Sequence, residues 1–171
     1  MEVNEEVVQD LHQKPTFKYF ALDDLRELVS RGEVLTFFEG STIITEGQHS
    51  QDLFIVISGC VNVMVNEETK NVFISAIGEG EFFGEAGIFS KVKRTASVTA
   101  TEGTTILKMT RQKFLEFLRV SPSSGMKFLM IIIYSLLKKL REVNQELAFE
   151  RKFDIGQEDI DSVIQGIMES T

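Results

Sequence analysis

Between residues 33 and 110 the chain is cut by glycines into runs of about strand length, and this spacing constrains the fold more than any other feature. "EVLTFFEG", "STIITEGQ", "LFIVISG", "CVNVMVNE", "NVFISAIGEG", "RTASVTATEG" and "TTILKMT" follow one another, closed or linked by Gly40, Gly47, Gly59, Gly78, Gly80 and Gly103. Glycine at a turn supplies a positive φ without steric cost. Many short strands at regular spacing predict a barrel, roll or sandwich. A flat meander against a helix is the other reading, and it leaves more strand edge exposed. The expectation is a mainly β fold with flanking helices.

The flanks change period. Residues 1–32 read as short helices: in "ALDDLRELVS", Leu22, Leu25, Leu28 and Val29 recur at helical spacing, with Asp23 and Asp24 at the start and Gly32 as the stop. After Thr110, "RQKFLEFLRV" places Phe114, Phe117 and Leu118 on one face, and "SPSS" interrupts it because the residue before Pro122 is driven out of the helical region. A long helix is predicted from about Ser124 to about Arg151, and a short terminal one over about Gln157–Met168, after Gly156. Along the long helix Leu129, Ile133, Leu136, Leu140, Val143 and Leu147 alternate by four and three, a heptad seam suited to a second copy of the chain. Packing on its own domain is the competing reading. The segments are thus an N-terminal helical piece (1–32), a β core (33–110) and a C-terminal hinge, dimerisation helix and short terminal helix (111–171).

Charge narrows the function. The formal net charge is −8, and apart from Lys91–Arg94 and Lys138–Arg141 the cations are scattered, which disfavours nucleic acid as a partner. His12 and His49 stand far apart and the acids of "DIGQEDID" lack the order of a calcium loop, so no metal site is expected. Cys60, the single cysteine, lies in a strand-like run and reads as a buried inert thiol. The sequence shows no membrane span, and "MEVNEEVVQD" is no secretory signal, so a cytoplasmic protein is expected. No metal cluster and no nucleophile paired with a base stand out, so neither an enzyme nor a catalytic cofactor is expected.

The positive knot in an acidic chain falls in "FGEAGIFSKVKRTASVTA". The small residues of Gly84-Glu85-Ala86-Gly87 let backbone approach a ligand closely, and one turn of helix there presents outward N–H groups to an anion. Arg94, nine residues beyond Glu85 and opening a strand, can grip two phosphate oxygens. Glu85 is repelled by phosphate but can accept a hydrogen bond from a sugar hydroxyl. The set asks for one phosphate with a free hydroxyl nearby, as in a ribose 3′,5′-cyclic phosphate. A Glu85–Arg94 salt bridge in a tight turn is the plain structural alternative.

This stretch resembles the phosphate-binding cassette of the cyclic-nucleotide-binding domain family, the family of the catabolite activator protein and of protein kinase A regulatory subunits. The residues are Phe83-Gly84-Glu85-Ala86-Gly87-Ile88 followed by Arg94-Thr95-Ala96-Ser97-Val98. "GSTIITEGQHSQDLFIVISGCVNV" matches the family's first strands through Gly40, Ile43, Glu46, Gly47, Leu53, Ile55, Val56, Gly59 and Val61. The resemblance spans roughly residues 15–150. It implies a jelly-roll-like β-roll, a double-stranded β-helix, with N-terminal helices and a long C-terminal helix. It further implies that Glu85 holds the ribose 2′-hydroxyl, that Arg94 neutralises the cyclic phosphate, and that the amides of Gly84, Ala86 and Ala96 line the sugar-phosphate. Thr95 reaches the phosphate or the base edge and leaves cGMP open beside cAMP. Ala86 departs from the larger aliphatic commoner there. Val63, Val72 and Ile74 are expected as walls for the base, or as ordinary roll core.

The resemblance also implies a signal. Ile88 packs against the hinge that holds Phe114, Phe117 or Leu118, and the long helix caps the base or re-pairs with its twin. Asn144 then contacts the purine, or sets the register of a dimer seam, or is a plain surface residue. About twenty residues follow the long helix, too few for a helix-turn-helix module. The expected function is a homodimeric cyclic-nucleotide receptor acting on an unknown effector protein, with no nucleic acid or membrane partner. The alternative is a structural or protein-interaction dimer that keeps the fold but binds no nucleotide.

Overall fold

The structure, a computed structural model, describes residues 3–67 and 70–168, with residues 67 and 150–168 described by their backbone. Among the described residues, the strands are β1 (Glu33–Phe37), β2 (Thr42–Ile44), β3 (Asp52–Ser58), β4 (Val61–Glu67), β5 (Lys70–Ile77), β6 (Phe82–Phe83), β7 (Ser97–Ala100) and β8 (Thr104–Thr110). They form two four-stranded sheets, ordered β1-β8-β3-β6 and β2-β7-β4-β5, and each strand pairing is antiparallel. The helices are α1 (Glu5–Gln13), α2 (Leu22–Arg31), α3 (Glu85–Phe89), α4 (Arg111–Val120) and α5 (Pro122–Met168). This is the expected jelly-roll-like β-roll with helices on both sides of it in sequence.

Alternation along the strands builds two hydrophobic clusters. In β3, Phe54 and Val56 point into the roll with Val61, Ile77, Phe83, Val98 and Ile106. The intervening Leu53, Ile55 and Ile57 point to the opposite face of the sheet, where the helices supply Leu11, Leu25, Leu28, Phe114, Phe117 and Phe128. A strand buried on both faces reads as a continuous apolar run, which is why "LFIVI" shows no polar alternation. Phe128 of α5 sits amid five rings, Phe17, Phe20, Phe82, Phe114 and Phe117, with centroids 5.5–6.5 Å away.

Polar contacts fix the helix ends. Asn4 caps α1 through the Val7 N–H, and Thr110 caps α4 through the Lys113 N–H. Asp24, in the first turn of α2, accepts from Ser124 Oγ and, at 3.1 Å, from Lys127 Nζ, so it clamps α2 to the first turns of α5.

Three expectations are corrected. The strand expected to open at Arg94 begins at Ser97, because Arg94 is held in the preceding loop. The break expected at Gly156 is absent: α5 runs through it to Met168, since an interior glycine costs a helix only about 1 kcal/mol and no proline follows to force a stop. The separate terminal helix is therefore part of α5. Cys60 lies in the turn between β3 and β4 and is half-buried rather than sealed in a strand.

The chain divides into two compact units, Met1–Ile132 and Ile133–Thr171. The first holds the roll, α1–α4 and the start of α5. The second is the remainder of α5. On it Ile133, Leu136, Leu140, Val143 and Leu147 are 41–56% exposed, so the apolar stripe lies open. Among the described residues no helix is long and apolar enough to cross a membrane.

Candidate functional site

The positive knot of the sequence separates into solvated and buried charge. Lys91 and Lys93 are exposed. Arg94 is 7% exposed and is the one cation in the buried core of the described residues. A buried guanidinium is tolerated only where oxygens receive its N–H groups, and here two distant stretches of chain supply them. Nη1 donates to the Gly84 carbonyl at 2.8 Å, while Nη2 donates to the Asp52 carbonyl at 2.7 Å and to Ser50 Oγ at 3.0 Å. Nε has no acceptor, the one such buried side-chain N or O among the described residues. Burial pushes the guanidinium below its ordinary range, and the carboxylates of Asp52 and Glu85 oppose that shift.

The backbone of Arg94 is pinned as well. Its N–H donates to the Gln48 carbonyl at 2.9 Å, and its carbonyl accepts from the Gly47 N–H at 2.8 Å. The β2–β3 turn thus wraps the arginine, which joins the "EGQHSQD" stretch to the cassette. The Ser97 hydroxyl adds a third tie by accepting from the Glu46 N–H at 3.0 Å.

Glycines make room for the head. Gly84 caps α3 at φ +77°, and a Cβ there would stand 2.8 Å from the Asp52 carbonyl and 2.9 Å from Arg94 Nη1. At Gly87 a Cβ would stand 2.7 Å from the Ser50 carbonyl and 2.8 Å from Arg94 Nη1. The small residues expected to admit a ligand therefore also admit the arginine. Arg94 lies over the Phe54 ring at 5.8 Å, near the outer range of a cation–π contact, and Phe54 stacks on Phe83 at 4.9 Å.

Glu85 opens α3, half-buried and within Coulombic reach of Arg94. Ala86 and Thr95 are exposed, and Ala96 is half-buried beside Thr95 in the turn before β7. Arg94 is thus joined to Gly84 and lies within Coulombic reach of Glu85, with Ala86 next to Glu85 and Thr95 and Ala96 next to Arg94 in the chain. Asn144 lies exposed on the second unit. Of the expected base walls, Val63 packs on the roll interior and Val72 is half-buried. Ile74 is 47% exposed, because β5 bulges there: Val63 faces Ser75 while Met64 faces Phe73.

Ile88, Phe114 and Phe117 share the helix-side cluster. Arg111, the first residue of α4, donates from Nε to the Ile88 carbonyl at 2.9 Å and so fastens α4 to the cassette helix. Arg111, Ser50 and Asp52 escape a reading of the sequence. The polar run "HSQD" before an apolar strand was the available signal for the last two, but it reads equally as an ordinary turn. Among the described residues no group of three or more His, Cys, Asp or Glu side chains is placed to hold a metal ion.

Residues 34–121 match the cyclic nucleotide-binding domain family. A cAMP-activated global transcriptional regulator of Pasteurella multocida is 29% identical over 110 residues, 63% of this chain and 51% of that protein. The crystal structure of a cyclic nucleotide-binding domain from Methylobacillus flagellatus superposes with a TM-score of 0.71 at 24% identity, over 81% of this chain and 78% of that one. The catabolite activator protein of Thermus thermophilus gives 0.66 at 26%, over 80% and 62%. The chain spans about half the length of the curated relatives it matches, from 42% to 60%.

Proposed function

Because this chain belongs to the cyclic-nucleotide-binding domain family, we propose that it is a receptor module for cAMP, and secondarily for cGMP, working in the cytoplasm on a separate effector protein. The observation that carries this reading is Arg94: a buried arginine with an unsatisfied Nε beside the Gly84–Ala86 backbone. An orphaned N–H on a buried cation is costly unless an anion comes to receive it. In this reading the cyclic phosphate meets Arg94 and the amides of Gly84, Ala86 and Ala96. The ribose 2′-hydroxyl donates to Glu85, and the exposed Thr95 hydroxyl serves the phosphate or the base edge. Thr95 keeps cGMP as a second ligand, while the relative's cAMP activation favours cAMP. The acidic balance, −8, argues against DNA as this chain's own target.

Signalling follows from the ties between α3 and α4. A shift of the cassette on phosphate binding moves the Ile88 carbonyl and side chain, to which Arg111, Phe114 and Phe117 answer. Coupling requires the nucleotide to favour one of the two arrangements. The exposed stripe on α5 then re-pairs with the same stripe of a second copy, with Asn144 available to the purine or to the seam. The full-length Leu136→Glu/Leu140→Glu variant is expected to sediment as a monomer where the wild type is a dimer. Equal sedimentation of the two removes the seam.

The test of binding is calorimetric titration with cAMP and with cGMP, with Arg94→Ala as control. Removing one partner of a buried charge pair costs ~2–5 kcal/mol, so micromolar binding should become nearly undetectable in the variant. Equal affinity in the variant overturns the phosphate assignment. Absence of binding by the wild type favours the interaction-module alternative. One observation speaks for that alternative: three protein oxygens already satisfy much of Arg94.

A further inference from the structure

We infer that Ser50 is an affinity-setting residue, holding the Arg94 guanidinium in a state that cannot yet grip a phosphate with two prongs. The inference rests on the receptor reading for its ligand, but its physical basis is independent of that reading.

The guanidinium has too few free hydrogens for a two-pronged grip. A guanidinium has five N–H donors, two on each terminal nitrogen and one on Nε. Nη2 commits its pair to Ser50 Oγ and the Asp52 carbonyl, and Nη1 commits one hydrogen to the Gly84 carbonyl. The Nε hydrogen and one Nη1 hydrogen are left. Parallel two-pronged bonds to a phosphate leave either the end formed by Nη1 and Nη2 or the edge formed by Nε and Nη2. Both require an Nη2 hydrogen, and both of those are taken. The unsatisfied Nε is therefore one open prong whose companion is occupied.

Of the two acceptors on Nη2, only one can give way cheaply. The Asp52 carbonyl belongs to the first residue of β3, which pairs with Thr110 of β8. Ser50 offers a side-chain hydroxyl that turns about a single bond, at 3.0 Å against 2.7 Å for the carbonyl. That hydroxyl is itself tethered: its own hydrogen goes to Asp52 Oδ2 at 2.9 Å, and the same carboxylate oxygen lies 3.8 Å from Lys108 Nζ. The donors and acceptors are ordered without conflict, from guanidinium to hydroxyl to carboxylate, so the latch is defined in both directions. Ser50 also lines two cavities, one of about 270 Å3 shared with Arg94 and one of about 420 Å3 at the surface beside Lys91. Ser50 thus borders open volume next to the arginine as well as at the surface.

Removing the hydroxyl returns an Nη2 hydrogen to the ligand. A hydrogen bond to a charged group is worth on the order of tenfold in an equilibrium constant. Ser50→Ala is therefore expected to bind cAMP on the order of tenfold more tightly, and Ser50→Thr, which restores a hydroxyl, to reverse the gain. The experiment titrates the three full-length proteins with cAMP by calorimetry and records the Arg94 guanidinium by 15N-edited NMR without ligand. Tighter binding by Ser50→Ala, reversed in Ser50→Thr, supports the latch. Equal or weaker binding by Ser50→Ala overturns it. If none of the proteins binds cAMP, the receptor reading fails and the spectra decide the latch alone. Arg94 Nη signals that shift or average in Ser50→Ala and return in Ser50→Thr support it, and signals identical in all three overturn it.

Discussion

The two sheets of the roll share one interior but have opposite outer faces. The β1-β8-β3-β6 sheet is clad: Leu53, Ile55, Ile57, Phe82, Leu107 and Met109 on its outer side are buried against the helices. The β2-β7-β4-β5 sheet contributes Ile44, Val61, Ile77 and Val98 to the interior, and on its far side Phe73 and Ile74 are 55% and 47% exposed. The arginine's setting adjoins the clad face. Asp52, whose carbonyl holds Arg94, is the first residue of a clad strand, and Leu53 immediately beyond it packs with Phe114 and Phe117 in the helix-side cluster. Asp52 thus joins the arginine's setting to the clad face, while the far side of the other sheet is open to solvent. Packed interiors transmit displacement because they have few voids to absorb it.

The largest effect is expected at the aromatic centre of the clad face. Phe128→Ala empties the middle of five rings and is expected to cost ~3–5 kcal/mol in denaturant unfolding. Phe73→Ala, on the bare sheet, is expected within about 0.5 kcal/mol of wild type. A cost at Phe73 comparable to that at Phe128 would mean that the bare face is covered in solution, and the contrast between the sheets would fall.

The sequence carries the clad sheet well and the arginine's surroundings poorly. "LFIVI" reads as a strand because of its length and branching, and its unbroken apolarity agrees with burial on two faces. Gly84, Glu85 and Arg94 stand out through spacing and resemblance. Ser50 and Asp52 do not, because one acts through a main-chain oxygen, which any residue could offer, and the other through a contact 44 positions away in sequence. Gly32 shows a related limit. It ends α2 as expected, but at φ −94°, with a Cβ there only 2.5 Å from Leu107 Cδ1. Its need is space against β8, which no local pattern encodes. Gly156 fails in the other direction, since α5 absorbs it.

A smaller expected effect than that at Phe128 concerns what keeps the cladding in place. Asp24 joins α2 to α5 through Ser124 and Lys127. Burial alone would raise its carboxyl above the usual aspartate range, but the hydrogen bonds from Ser124 and Lys127, the Lys127 charge and the Ala21 N–H together outweigh burial and hold it below. A carboxyl depressed in the folded state stabilises the fold above its unfolded value of about 3.9, and this contribution is lost as pH falls through the still lower folded value. The group is partly exposed, so solvent screens it and the contribution is only about 0.5–1 kcal/mol. Asp24→Asn is therefore expected to be less stable than wild type by that amount at pH 7, with the gap closing below about pH 4. Denaturant melts of both proteins at the two pH values measure it. A gap that persists undiminished in acid would assign the clamp to shape and neutral hydrogen bonding instead of charge. The helices would then be held on their sheet by apolar packing and neutral hydrogen bonds, and charge would play no part in keeping one face clad and the other bare.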